Sequence, residues 1–282
     1  MQTQTTPRAR PDLGFGLGLR RELIEPIIQR KPPIDWLEIL SDGYLAAGEA
    51  ALAELERIGE DYPLVMHGGA LSVGGPDPLD QDYLGQLKAL ARRIEAVLIS
   101  DHLCWTPPGM SHSYDLRPLP RNEEMIGHLS PRIRAIQDLL GCRILLENVP
   151  DPHPPSRDSM PEWEFVARVA EASDSLILLD LNNIILNSVP QGYSPSVYVE
   201  NLPPERIWQI HLSPLMNKSE YEWDTGNART HDPVLDLYLR TLEICGPLPT
   251  MLERNDDIPP LAELLEELEQ IRTLAAGQGS AA

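Results

Sequence analysis

The sequence predicts an α/β fold of one closed (β/α)8 TIM barrel. Three observations carry that prediction. Eight short apolar runs alternate with longer stretches of helical periodicity along 282 residues. The runs are continuously apolar rather than alternating, as in parallel strands buried on both faces. One after another they end in histidines and acids, and in such barrels chemistry sits at the C-terminal ends of the strands.

The first run is LGFGLGLR at 13–20, followed by a helical stretch, RELIEPIIQR, that Pro26 should interrupt. The second is IDWLEIL at 34–40, with a strong helical pattern from Leu45 to Glu60. The third, PLVMHG at 63–68, leads to a helix near Tyr83 to Ile94. The fourth, AVLISDHL at 96–103, is followed by a long connection and a helix near Glu123 to Leu140. The fifth, RILLEN at 143–148, precedes a helix from Glu162 to Ala172. The sixth is LILLDL at 176–181, with no helix assigned before the seventh, RIWQIHLS at 206–213. A helix from Pro233 to Ile244 follows, then PTMLER at 249–254 and a closing helix from Leu261 to Ala275. An open doubly wound sheet would carry a G-x-G-x-x-G turn after its first strand. GFGLGL lies inside the strand and fails that spacing, so its glycines read as close backbone packing. The barrel is expected over 13–275, between a flexible N-terminus, 1–12, and a flexible tail, 276–282.

Composition narrows the function classes. There are 23 Lys and Arg against 43 Asp and Glu, a formal net charge of −20 that disfavours a nucleic-acid partner. No run approaches the ~20 apolar residues of a membrane span. The polar N-terminus lacks a secretory signal, so the expected location is cytoplasmic. Cys104, Cys142 and Cys245 have neither the spacing of a zinc site nor a disulfide framework, and read as buried thiols.

The strand ends point to metal chemistry. Strands three to eight end in His67, His102, Glu147, Asp180, His211 and Glu253. A lone histidine or acid at such a place is ordinarily a satisfied core group. Three imidazoles and three carboxylates converging in one barrel mouth are another matter. The carboxylates would repel one another and one would be forced to protonate unless cations neutralise them. Six ligands around a central glutamate suit two ions bridged by that carboxylate, Glu147. Mixed imidazole and carboxylate ligation without thiolate fits iron, manganese or zinc alike. Glu38, near the end of strand two, and Asp101 are candidate proton relays on position alone.

Other polar residues cluster above the same end. Asn182 and Asn183 follow Asp180 and serve either as ligand or as turn cap. Asn148 beside Glu147 is expected to support a ligand. His231, in RTHDP, is either a site residue or solvated beside the helix cap Asp232. Cys104 either approaches the site or packs as a buried thiol. His112, His128 and His153 are taken as surface residues. Arg20, Arg117 and Arg254 near the mouth are candidates to hold a substrate carboxylate or balance charge.

GLGLR, DWLEIL, HGGALSVGGPDPLD, SDHLCW, DLRPLP, LLENVP, LLDLNN, QIHLS and ERNDDIPP occur in this order along the chain. The pattern resembles the multinuclear non-haem iron-dependent oxidases. These are TIM barrels that modify ribosomally made peptides, among them the oxidase of methanobactin biosynthesis and the bufferin-maturing enzymes. More distantly it resembles the barrels of apurinic-site endonuclease and xylose isomerase. The resemblance spans roughly residues 13–270. It implies iron held by His67, His102, Glu147, Asp180, His211 and Glu253, with Asn183 and His231 in the metal region. It also implies dioxygen as co-substrate, a peptide side chain, often cysteine, as target, and a small partner protein that binds the leader peptide.

The sequence departs from the family pattern in three places. Arg229-Thr230-His231 stands where the family has Asp-x-His. HLSPLM lacks a second histidine. Val189-Pro190-Gln191-Gly192 replaces Asn-His-Gly. All three fall where a third, weaker metal would bind. Two irons are therefore expected, with Arg229 occupying the third place electrostatically. Beside the oxidase stand two other functions on the same barrel: a metal-dependent hydrolase or phosphodiesterase, and a binding protein with a degenerate site.

Overall fold

In a computed structural model of the chain, the described residues are 9–107, 116–156, 159–213, 232–254 and 257–279. Eight parallel strands close into a barrel in sequence order. They are β1 Phe15–Gly18, β2 Trp36–Leu40, β3 Leu64–His67, β4 Ile99–His102, β5 Leu145–Glu147, β6 Leu176–Asp180, β7 Ile207–Leu212 and β8 Thr250–Leu252. Each lies inside the apolar run that predicts it. Closure is made by β8 beside β1, with Phe15 opposite Thr250 and Leu17 opposite Leu252.

Helices α1 Arg21–Arg30, α2 Asp42–Leu45, α3 Glu49–Gly59, α4 Gln81–Arg93 and α5 Glu123–Leu140 follow the first four strands. Helices α6 Glu162–Ser173, α7 Leu181–Gln191, α8 Pro195–Glu200, α9 Pro233–Cys245 and α10 Leu261–Gly279 follow the rest. Three of them differ from expectation. Pro26 does not interrupt α1, because Leu23, Ile24 and Ile27 anchor both sides of it in the core. The helix expected from Leu45 to Glu60 is two, broken before Gly48, whose extended backbone starts α3. Between β6 and β7 the chain forms α7 and α8 where no helix is expected. Asp180, the last residue of β6, itself caps α7 by accepting from Asn183 N–H.

Two apolar regions hold the barrel. The larger lies between strands and helices and includes Leu37, Ile39, Leu146, Leu179 and Ile210. The smaller plugs the interior and consists of Trp36, Val65, Leu98, Leu145, Leu176, Leu178, Trp208 and Met251. Trp36 lies over its neighbour on β1 because Gly16 leaves room: a Cβ there would lie 2.3 Å from the indole. The glycines of the first run thus serve close packing, as their place in the strand implies.

Candidate metal centre

One layer above the apolar plug the same strands turn polar. A strand alternates faces, so the residue two positions after an inward apolar side chain also points inward. Hence Glu38 follows Trp36, His67 follows Val65, Glu147 follows Leu145, and Asp180 follows Leu178. Strand register sets the ligands side by side: His67 pairs with Ser100, His102 with Glu147, and Asp180 with His211. His211 needs one more device. Between Ile177 and Leu178 of β6 the register to β7 shifts from Ile207 to Gln209, leaving Trp208 as an extra residue. This bulge lets Trp208 fill the plug while Gln209 and His211 still face inward.

Three groups of ligand atoms lie close enough to hold an ion: His67, His102 and Glu147; Glu147, Asp180 and His211; and Glu38, His67 and His211. Glu147 belongs to two of them. Its Oε2 lies 3.2 Å from His67 Nε2 and 3.3 Å from His102 Nε2. The far ring nitrogens decide what those contacts are. Ser100 Oγ donates its only proton to Met66 O, so it accepts from His67 Nδ1 at 2.8 Å. Gly68 O can only accept, so His102 Nδ1 carries the proton of their 3.0 Å bond. Burial, foremost, lowers the His67 pKa to about 4, so its ring is neutral at pH 7. The lone pairs of both Nε2 atoms therefore face a carboxylate oxygen, and Glu147 Oε2 is buried with no hydrogen-bond partner.

The second cradle shows the same defect. His211 Nδ1 is buried and unpartnered. It lies 3.3 Å from Glu147 Oε1, outside hydrogen-bond geometry, and 3.8 Å from Glu253 Oε2. An orphaned buried acceptor costs about 1–3 kcal/mol, and here several converge. A cation removes the cost. Two atoms each ~2.1 Å from one ion lie about 3.0–3.4 Å apart at octahedral or tetrahedral angles. The separations around Glu147 fall in that range, so the residues fit a pair of metal ions sharing one carboxylate.

Charge in the cluster is finely opposed. Burial would raise the Glu147 pKa, but the neighbouring imidazoles, His211 foremost, outweigh it and hold the carboxyl ionised. Burial, then Glu147 and Glu253, push Asp180 well above the ordinary range. Glu253 is raised as well, chiefly by burial. Burial would lower His211, but Glu38 and Glu147 hold it well above its usual value. Without a cation the cluster retains protons, which metal binding must displace.

The remaining candidates divide. Asn148 brackets Asp180 from both sides: its Nδ2 donates to Asp180 O and its Oδ1 accepts from Asp180 N–H, each at 2.9 Å. Asn183 N–H donates to the capping Asp180 Oδ1 at 2.7 Å, and its Nδ2 donates to Asn148 O at 3.0 Å. Asn182 does neither of the things expected of it; it pairs with the backbone of Ser213 after β7. Glu38 lies beneath His211, bonded to it and to Gln209, rather than on a path to solvent. Asp101 points to the outer face of β4 and accepts from the backbone of His102 and Leu71. Burial raises its pKa to about 7. Cys104 is fully buried, 3.6 Å from Thr106 Oγ1, and burial pushes its thiol up to about 12. It is the packed thiol. Cys142 and Cys245 are free thiols only partly buried. His153 is exposed, but His128 is half-buried and bonds Gly75 O at 3.0 Å, tying the β3 loop to α5. Arg254 pairs with Glu267, and Arg117 lies 5.0 Å over the Trp105 ring. His112, Arg229 and His231 lie outside the described residues; in the departing segment 189–192, Gln191 accepts from Arg121 at 2.7 Å.

Sequence reading passed over Ser100, Gln209 and the bulge. Ser100 and Gln209 carry a period-2 signal, two residues before His102 and His211 on the same face.

Fold and site together define a (β/α)8 barrel with a candidate two-ion centre at its mouth. Residues 14–276 match the family model of the RiPP precursor modification enzyme MbnB/TglH/ChrH, and the chain belongs to that family. RiPP denotes a ribosomally synthesised and post-translationally modified peptide. The chain is 42% identical to a UPF0276 protein of Anaeromyxobacter sp. (strain Fw109-5), over 90% of each chain. It is 40% identical to a UPF0276 protein of Acaryochloris marina, over 92% of this chain and 94% of the relative. Among solved structures, a xylose isomerase domain protein from Alicyclobacillus acidocaldarius aligns with a TM-score of 0.60 at 20% identity, covering 93% of this chain and 99% of that one. D-Psicose 3-epimerase from Clostridium cellulolyticum H10 aligns at 0.59 and 12% identity, covering 95% and 97%. At those identities the likeness shows the fold, a xylose-isomerase-like TIM barrel. Among the described residues no helix is long and apolar enough to cross a membrane.

Proposed function

We propose that this protein is an iron- and dioxygen-dependent oxidase acting on a side chain, cysteine foremost, of a ribosomally made peptide. The observation that carries the reading is the pair of cradles sharing Glu147, each lined by buried lone pairs that lack a donor. His67, His102 and Glu147 would hold one iron; Glu147, Asp180, His211 and Glu253 would hold the other. Two histidines and one carboxylate with positions left open are the donor set of non-haem iron oxygenases. When bound, iron would supply the redox chemistry that passes electrons from the substrate to dioxygen.

The chain's own groups prepare the site. Ser100 and Gly68 hold the two imidazoles on the tautomer that aims Nε2 at the cleft. Asn148 and the first turn of α7 fix Asp180, so that ligand cannot swing when an ion binds. The apolar plug below keeps water from entering by the other end of the barrel. Family membership supports a peptide substrate, and a small leader-binding partner belongs to the same reading. A third iron does not, because Arg229 stands where the family has an acid. Neither nucleic acid nor membrane is a proposed partner, and the proposed location is the cytoplasm.

The test is co-expression with short peptides encoded beside the gene, followed by mass spectrometry. The reading expects a mass change that requires both iron and dioxygen. A product formed equally well without oxygen by zinc-loaded protein would replace the oxidase with the hydrolase.

A further inference from the structure

Glu38 and Gln209 lie against His211 in the barrel interior, and the proposed function gives the pair no role. Glu38 is 2% exposed, and Gln209 and His211 are 0% exposed. Glu38 Oε1 lies 3.0 Å from His211 Nε2, and Glu38 Oε2 accepts from Gln209 Nε2 at 2.5 Å. Gln209 Nε2 also lies 3.1 Å from His211 Nε2 but donates to Glu38 at the shorter distance, and a carboxylate only accepts, so the proton between Glu38 and His211 sits on Nε2. Once a cation displaces the second proton of the ring, the lone pair of His211 is left on Nδ1. That is the atom found buried, unpartnered and 3.3 Å from Glu147 Oε1.

We propose that Glu38 is a positioning residue: by accepting from His211 Nε2 it holds that ring on the tautomer that offers Nδ1 to the ion between Glu147 and Asp180. The centre is thus asymmetric in its imidazoles. His67 and His102 ligate through Nε2 and are held from Nδ1; His211 ligates through Nδ1 and is held from Nε2. The holding groups differ too. A hydroxyl and a carbonyl serve the first two, whereas a carboxylate serves the third and makes it the most basic ligand of the set. Gln209 steers Glu38 by donating to Oε2, the oxygen that also lies 3.3 Å from His211 Nε2, and the bulge at Trp208 puts Gln209 on that face.

Glu38 also stands within ligand range of His67 and His211. As a ligand itself it would demand Nε2 of His211 for the metal and leave Nδ1 buried without a partner. The two arrangements therefore differ in which nitrogen meets the ion. The inference rests on the two-ion reading but not on oxidation, and its test involves no turnover.

The experiment uses the full chain loaded with zinc, a diamagnetic probe, and 15N-labelled histidine observed by NMR. The expected spectrum has His67 and His102 bound through Nε2, and His211 bound through Nδ1 with a protected Nε2–H. Zinc titrations of Glu38→Gln and Glu38→Met follow, read at the His211 resonances. Loss of such a supporting group weakens binding about 10–100-fold, so Glu38→Gln should fall near the lower figure and Glu38→Met near the upper. The His67 and His102 site should keep its affinity in both. Binding of zinc through Nε2 of His211 would overturn the proposal, as would wild-type affinity at His211 in Glu38→Gln. The isosteric Gln variant carries the test should the Met variant not fold.

Discussion

The barrel interior holds two layers built by the same strands two residues apart, with opposite chemistry. The lower is Trp36, Val65, Leu145, Leu178 and Met251, closed by hydrocarbon. The upper is Glu38, His67, Glu147, Asp180 and His211, buried as deeply but polar. In the lower layer burial is the gain. In the upper layer burial is the cost, and the structure leaves Glu147 Oε2 and His211 Nδ1 unsatisfied for a cation to compensate. Stability and chemistry are thus separable by one step along a strand.

Substitutions should separate them in practice. The largest effect is expected from Glu147→Ala, which removes the carboxylate common to both cradles. Both ions and all activity should be lost while the fold survives, checked by metal analysis and circular dichroism. Retained activity would reject Glu147 as the bridge. Below it, Trp36→Ala should cost about 3–5 kcal/mol in denaturant unfolding by emptying the plug, yet leave metal content per folded chain unchanged. Gly16→Ala comes next: its methyl would meet the Trp36 ring at 2.3 Å, and overpacking of this kind costs about 1–3 kcal/mol. Trp36→Leu in the same chain should recover part of that loss, whereas additive losses would deny the contact.

The smallest effect lies outside both layers. Burial raises the Glu162 pKa to about 7 although Asn187, Arg121 and Tyr198 oppose it. An acid whose folded pKa is raised binds more protons folded than unfolded between its two pKa values. Its contribution to stability is therefore lost as pH rises from about 4.5 to about 7. Glu162→Gln should flatten the stability profile over that interval. An unchanged slope would place the titration elsewhere.

The strands were legible because each is a buried apolar run with no competing period. The convergence of the candidate ligands was legible for the same reason, since a strand end followed into a barrel leaves little choice of direction. Helix α7 was not: it begins on the last residue of β6, and Asp180 is cap and candidate ligand at once. Three asparagines and a proline in LNNIILNSVPQ read as loop until the barrel supplies a surface for Ile184 to bury against. Glu38 could be placed near the mouth but not understood, because its partner lies 173 positions away. The bulge at Trp208 has no local signature; it answers to the register of β6.

Anaerobic reconstitution with ferrous iron, followed by iron counting and Mössbauer spectroscopy, tests the shared-carboxylate centre most directly. Two irons per chain in two distinguishable environments, one richer in imidazole, are the predicted result. A single iron, or three bound tightly, would contradict it.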